Sequence, residues 1–380
     1  MVHNKLSLYF LFGTSVFLFA VSTWVDLSRY SNDSTFVFKY VSIFLVLASV
    51  FLIGKKEKTD FYSILGLSVF LFLLCFYTII NLIDLQDLVV LLGYIFLYIL
   101  YFFLLKSKSN IHYYLKKTLL FLGVLFVFLN VPFIFDSTAY SNIKAQFTGF
   151  FGNANAFTGL AGLFFILFFH FFTISNNNFK KIICLLFLFV LAVFLFLGFS
   201  RGALLSTAVA CFYLLFKMGG KRVLLISFAF CFFVFLFYIF KFDFFEAGAN
   251  RDLFEETGRR LIFDSYFHEL SERYFFIGTG VSKEAGRIKS EVAYLDVFLM
   301  TGSLGIVGFM IFIFRTLYMS ISLVSKDSFW LVSVFIYIVF LSIFEGYVAN
   351  VLSLNSILFY IVSALIYSCY RGERLVRRSS

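Results

Sequence analysis

The feature that most constrains this chain is a repeated one: apolar runs of about 17 to 25 residues, each closed by a short polar stretch, recur along its whole length. They fall at roughly 6–25, 36–53, 61–82, 88–105, 118–135 and 153–174, and again at roughly 182–199, 203–216, 223–240, 291–314, 329–344 and 354–370. Bilayer hydrocarbon supplies no hydrogen-bond partners, so segments of this length satisfy their backbone as helices. A soluble fold of 380 residues needs a charged exterior, and only 14% of these residues are charged while 62% are hydrophobic. The sequence therefore predicts an all-α polytopic membrane protein with about twelve transmembrane helices in a single membrane domain, residues 1–380. The run at 203–216 is the short one.

Orientation follows from basic residues. With the N-terminus in the cytoplasm, Lys55, Lys56, Lys58, Lys106, Lys108, Lys116, Lys117, Lys180, Lys181, Lys217, Lys221 and Arg222 fall inside, joined by Arg371, Arg374, Arg377 and Arg378. Loops on the opposite side are poor in base: 84–87 is acidic, and 136–152 holds only Lys144. This is the positive-inside pattern, and it places both termini in the cytoplasm. The net charge of +10 then reports topology rather than a nucleic-acid partner. The first run lacks a small-residue cleavage pattern before Asp26, so it reads as a retained span. The five cysteines lie inside apolar runs without CxxC spacing and read as buried thiols.

One long polar stretch, 241–290, interrupts this pattern between the ninth and tenth runs, on the side opposite the termini. Its mixed charges suit a solvated loop with exposed ion pairs. Arg259 and Arg260 stand out because they precede Leu261, Ile262, Phe263, Tyr266 and Phe267, an apolar set at helical spacing that predicts a helix on the membrane surface. Arginines at its start would meet lipid headgroups or a phosphorylated lipid. His268 is the loop's only histidine and a candidate proton acceptor.

Three further segments carry candidate chemistry. Arg201, in Phe199-Ser200-Arg201-Gly202, sits in a tight turn between two apolar runs, where a guanidinium either snorkels to the interface or holds an anion. Its planar fork suits phosphate. Gly152-Asn153-Ala154-Asn155 opens the run at 153; Asn caps helices, and small residues permit close packing. Glu291 heads the run that continues through Tyr294, Leu295 and Asp296. The helix dipole accounts for a carboxylate there, and a general-base role is the alternative. The runs starting near 153, 203 and 291 all open on one side, and their convergence would favour an anion. His170 reads as a packed interior group, and no His, Cys or carboxylate set has metal spacing. No P-loop or GxGxxG is present.

Taken in order, Gly-Asn-Ala-Asn at 152, Ser-Arg-Gly at 200, Gly-Arg at 258 with Phe263 four residues beyond Arg259, and Gly278-Thr279-Gly280 before Tyr294-Leu295 resemble the O-antigen polymerase and ligase superfamily over roughly residues 120–315. The resemblance implies glycosyl transfer from an undecaprenyl diphosphate-linked glycan on the periplasmic face of the bacterial inner membrane, without metal or organic cofactor. Arg201, Arg259, Arg260 and Arg287 would bind the diphosphate, and Glu291 or His268 would accept the acceptor's proton. Gly152, Asn153, Asn155, Gly278 and Gly280 would shape the site. Ligases carry His-Asn where this chain has Glu291-Val292, which favours a polymerase over a ligase delivering glycan to lipid A-core. Implied partners are the lipid-linked oligosaccharide, membrane lipid, a chain-length regulator and a flippase. A lipid-linked oligosaccharide flippase is the rival from another class, and ionisable residues lining its spans would mark it.

Overall fold

The computed structural model describes residues 2–28, 34–53, 61–81, 85–105, 111–140, 146–198, 200–218, 276, 278–281, 292–346 and 353–379. Among these it is almost wholly helical: α1 (Val2–Leu27), α2 (Ser34–Ile53), α3 (Phe61–Ile80), α4 (Leu85–Leu105), α5 (Ile111–Asn130), α6 (Ala154–Ile174), α7 (Asn178–Leu197), α8 (Arg201–Met218), α9 (Ala293–Ile321), α10 (Phe329–Phe344) and α11 (Leu354–Ser379). Nine of the described helices are long and apolar enough to cross a membrane, so the chain is an all-α, multi-pass membrane protein. The run expected at 223–240 and nearly all of the loop expected at 241–290 lie outside the described residues. The short run at 203–216 becomes an 18-residue helix once Arg201, Gly202, Lys217 and Met218 join it.

Helix ends are written in local sequence. Pro132, the chain's only proline, has no N–H to continue α5, and residues 131–135 tighten into a 3₁₀ turn. Asn177 starts α7 by accepting hydrogen bonds from the backbone N–H groups of Phe179 and Lys180 at 2.9 and 3.3 Å. Asn153 does the same for α6.

Packing joins α1 to α2 and α5, α3 to α9, α4 to α11, and α10 to α8, α6 and α11. In lipid the helices gain little from apolar burial against one another, so close fit carries the association. Gly66 of α3 and Gly308 of α9 supply it: a Cβ on Gly66 would stand 2.6 Å from the Gly308 carbonyl oxygen, and one on Gly308 2.9 Å from that of Gly66. The Phe126 ring ties α1, α5, α6 and α7 together through Trp24, Phe164, Phe157 and Phe194, at centroid distances of 5.3 to 6.0 Å. The face of α7 bearing Phe179, Ile182, Leu186 and Phe189 is exposed, as lipid contact requires.

The run expected at 291–314 differs most from expectation. It begins at Ala293, continues past Arg315 to Ile321, and breaks at Gly302, where φ is 67° and ψ is −173°. Only glycine adopts that geometry without strain. A straight helix would separate Tyr294 from Phe309 by about 22 Å, yet their ring centroids are 6.5 Å apart. Residues 293–301 thus form a short arm folded back toward the long arm, 303–321. Asp296 rides the short arm, and Glu291 lies outside the described residues.

Candidate functional site

Two ends of the bundle differ in chemistry. At one, the His170 ring Nε2 is 3.0 Å from the Lys326 carbonyl, Lys217 Nζ donates to the Ile321 carbonyl at 3.0 Å, and the Glu373 carboxylate accepts from the Val324 and Ser325 N–H groups, each at 3.0 Å. Lys116, Lys117, Lys180, Lys181, Arg371 and Arg374 sit toward this end, given the helices that carry them. The other end collects Lys39, residues 131–140 and 146–153, Arg201, residues 276 and 278–281, and the fold-back of α9.

At that second end residues 131–140 and 146–153 form a sewn scaffold. The fully buried Asn130 donates from Nδ2 to the Phe126 carbonyl at 2.8 Å and accepts at Oδ1 from the Phe150 N–H at 2.9 Å. The Phe147 N–H donates to the Leu197 carbonyl at 3.0 Å, and the Thr148 N–H to that of Ala139 at 2.8 Å, anchoring the segment to α7. Tyr140 pairs across a single β-bridge with Phe147, and its hydroxyl donates to the Ile134 carbonyl at 2.9 Å. Burial pushes the Tyr140 pKa up, so it remains a donor. Gly152, at φ 67°, turns the chain into Asn153. The Asn153 Oδ1 accepts from the N–H groups of Asn155 and Ala156 at 2.9 and 3.2 Å. Gly152, Asn153 and Asn155 therefore shape this end, and Asn153 occupies donors of α6 that an anion would need.

The start of α8 is less closed. The Ser200 Oγ stands 3.4 Å from the Ala203 N–H, a long cap, and Arg201 is exposed as the first helical residue. Gly202 lies directly against α10: a Cβ there would be 2.5 Å from the Phe344 Cβ. Deeper along the same seam, the fully buried Tyr337 of α10 donates to the Gly159 carbonyl of α6 at 2.7 Å. The Tyr294 hydroxyl, on the short arm of α9, donates to the Val339 carbonyl of α10 at 2.7 Å. The three helices that open at this end, α6, α8 and α9, are thus joined through the outer half of α10 rather than through their own N-termini. The N-terminus of α9 is turned inward, with Ala293 fully buried.

Gly278 and Gly280 have a definite structural task. The N–H groups of Thr279 and Gly280 donate to the carbonyls of Leu299 and Met300 at 2.8 and 3.0 Å. These are carbonyls that the break at Gly302 would otherwise leave unpaired. Residues 278–281 are held in turn at the end of α3, where Asn81, just past the helix, donates from Nδ2 to the Thr279 carbonyl at 3.3 Å and the Val281 N–H donates to Thr78 Oγ1 at 3.2 Å. Neither glycine has room for a side chain, since a Cβ on Gly280 would stand 2.5 Å from Thr78 Cα and one on Gly278 would meet the Met300 carbonyl.

Of the sequence-predicted reactive groups, Arg201 is placed and exposed, whereas Arg259, Arg260, His268, Arg287 and Glu291 lie outside the described residues. Sequence reasoning passed over Glu345. It ends α10 directly after Phe344, is half-buried, and donates its N–H to the Leu341 carbonyl at 2.9 Å. The signal was a lone carboxylate closing an apolar run beside Gly346. Also missed was the Lys39–Asp26 ion pair at 2.7 Å, which fastens α1 to α2. Among the described residues no group of three or more His, Cys, Asp or Glu side chains could hold a metal ion.

The chain matches no model of a known protein family, and no curated protein matches it.

Proposed function

We propose that the chain is a surface-polysaccharide polymerase, a glycosyltransferase of the bacterial inner membrane whose donor is an undecaprenyl diphosphate-linked glycan and whose acceptor is a lipid-linked repeat unit. The observation that carries this reading is the exposed Arg201 at the loosely capped start of α8, on the end of the bundle opposite most described basic residues. A guanidinium at such a position, on the first residue of a helix, is suited to a diphosphate. The basic end is then cytoplasmic, both termini lie inside, and the Arg201 end faces the periplasm. With the span at 223–240 included, the count is twelve, and 241–290 is a periplasmic loop delivering Arg259, Arg260 and Arg287 to the same anion.

The reaction is displacement at the anomeric carbon of the donor. Its leaving group already bears negative charge, so cations that stabilise the departing diphosphate contribute more than a strong acid. The four order-dependent sequence motifs support the superfamily, and Glu291-Val292 in place of His-Asn supports a polymerase.

The direct test gives purified protein lipid-linked repeat units and measures chain length. Polymer on undecaprenyl diphosphate is the expected product. Transfer only to added lipid A-core would make it a ligase, and movement of lipid-linked units across vesicles without bond formation a flippase.

A further inference from the structure

The end of the bundle opposite Arg201 is fastened around one loop, residues 322–328 between α9 and α10, which three other helices hold. The Glu373 carboxylate of α11 accepts from the Val324 and Ser325 N–H groups, one on each oxygen and both at 3.0 Å. Lys217, in the last turn of α8, donates from Nζ to the Ile321 carbonyl at 3.0 Å. The same ammonium lies 5.9 Å from the centre of the Phe329 ring, so it holds the chain on both sides of the loop. His170 of α6 brings its Nε2 to 3.0 Å from the Lys326 carbonyl, which only accepts, so that nitrogen carries the proton. The loop also closes on itself. The Ser328 hydroxyl and N–H both donate to the Ser325 carbonyl, at 2.8 and 3.1 Å, and Leu323 is buried. Alongside, the Thr173 hydroxyl of α6 donates to the Met218 sulfur of α8 at 3.4 Å.

We infer that the 322–328 loop is a fixed seal: the basic end of the bundle stays shut through the working cycle, and the ligand enters and leaves at the Arg201 end alone. A protein that passes a ligand through its bundle must part its helices at each end in turn. Parting α6, α8 or α11 here would strip partners from the loop backbone on several sides at once, and the bonds to Glu373 and Lys217 are charge-assisted. The two ends of α8 are held unequally. Its last turn is tied down by Lys217, whereas its first residue, Arg201, is exposed behind a 3.4 Å cap. The seal goes beyond the polymerase reading, because it holds for any chemistry performed at the Arg201 end and rules against passage of a ligand across the membrane.

The test uses full-length protein in lipid nanodiscs and has two arms. Backbone hydrogen exchange follows the Val324 and Ser325 amides. Glu373→Gln leaves one acceptor where the carboxylate offers two, and should speed their exchange by about 10-fold or more with the α10 amides unchanged. Wild-type amides that exchange as fast as those of the variant would overturn the seal. In the second arm Ser325→Cys and Gly372→Cys are joined by a reducible bifunctional thiol reagent, a Cβ on Gly372 meeting nothing within 4 Å. Reagent-treated wild type controls for the native cysteines. Polymer formation from lipid-linked repeat units is expected at the same rate with and without the bridge. A rate lost on bridging and restored by reduction would show that this end opens, overturning the seal while leaving the polymerase intact. Wild-type protein that forms no polymer would overturn the polymerase reading, and the exchange arm still decides the seal. Lipid-linked units that cross vesicles containing the protein, and stop crossing when it is bridged, would overturn both.

Discussion

The rings of Tyr294 and Phe309 lie 6.5 Å apart within what reads as one continuous apolar helix. Gly302 folds the helix between them, and the loop at 278–280 supplies the N–H groups that the broken helix requires. The fold-back brings Tyr294 to α10 and turns a transmembrane segment into part of the wall of the candidate site.

Gly302→Ala should show whether the fold-back is needed. Its backbone geometry excludes other residues, and a Cβ would stand 2.6 Å from the Phe276 carbonyl oxygen. The expected cost is on the order of 2 to 3 kcal/mol, read as a lower melting temperature in detergent together with lost activity. Wild-type stability in this variant would show that the fold-back is not retained.

Gly162 faces two hydroxyls, and a Cβ there would stand 2.5 Å from both Thr207 Oγ1 and Tyr337 Oη. Gly162→Ala should destabilise by about 1 to 3 kcal/mol through overpacking. Tyr337→Phe removes the bond to the Gly159 carbonyl and should cost about 1 kcal/mol alone. In the double variant the missing hydroxyl relieves part of the clash, so the combined loss should fall short of the sum by at least about 0.5 kcal/mol. Thermal unfolding of the four proteins closes the cycle, and strict additivity would argue against this contact.

The Lys39–Asp26 pair is mostly covered on the lysine side and less so on the aspartate side, with side-chain exposures of 10% and 29%. Lys39→Met leaves a carboxylate without its partner and should destabilise by roughly 2 kcal/mol, below a fully buried pair because Asp26 retains some solvent. Adding Asp26→Leu should recover most of that loss. Detergent melting curves of the single and double variants decide it.

Arg201→Lys and Arg201→Ala should separate charge from geometry at the proposed diphosphate site. Alanine is expected to lower transfer by about 10² to 10³-fold, and lysine to restore part of it, because a point charge lacks the bidentate fork. The readout is glycan chain length at equal membrane abundance. Unchanged chains in Arg201→Ala would remove Arg201 from the site.

Much of the architecture was legible because each determinant is local. Pro132 denies α5 a further N–H, Asn153 and Asn177 cap the helices that follow them, and the apolar runs report the solvent around them. Asn153 also shows where local reading stops. Sequence offered the α6 N-terminus as an anion site, but its own cap already accepts from the Asn155 and Ala156 N–H groups. Arg201 was visible because an arginine in a turn between spans has few reasons to be there. The hold on the 322–328 loop was not, because His170, Lys217 and Glu373 reach it from helices far apart in the chain.

The sequence by itself determined that this is a helical membrane protein, because run length and the absence of solvent in a bilayer leave the backbone no other way to pair. Only the tertiary structure decided that α9 folds back and that His170, Lys217 and Glu373 fasten one loop. Nothing adjacent to Gly302 forces its left-handed turn; distant donors at 279 and 280, pinned by Thr78 of α3 and by Asn81 just past it, make the break stable.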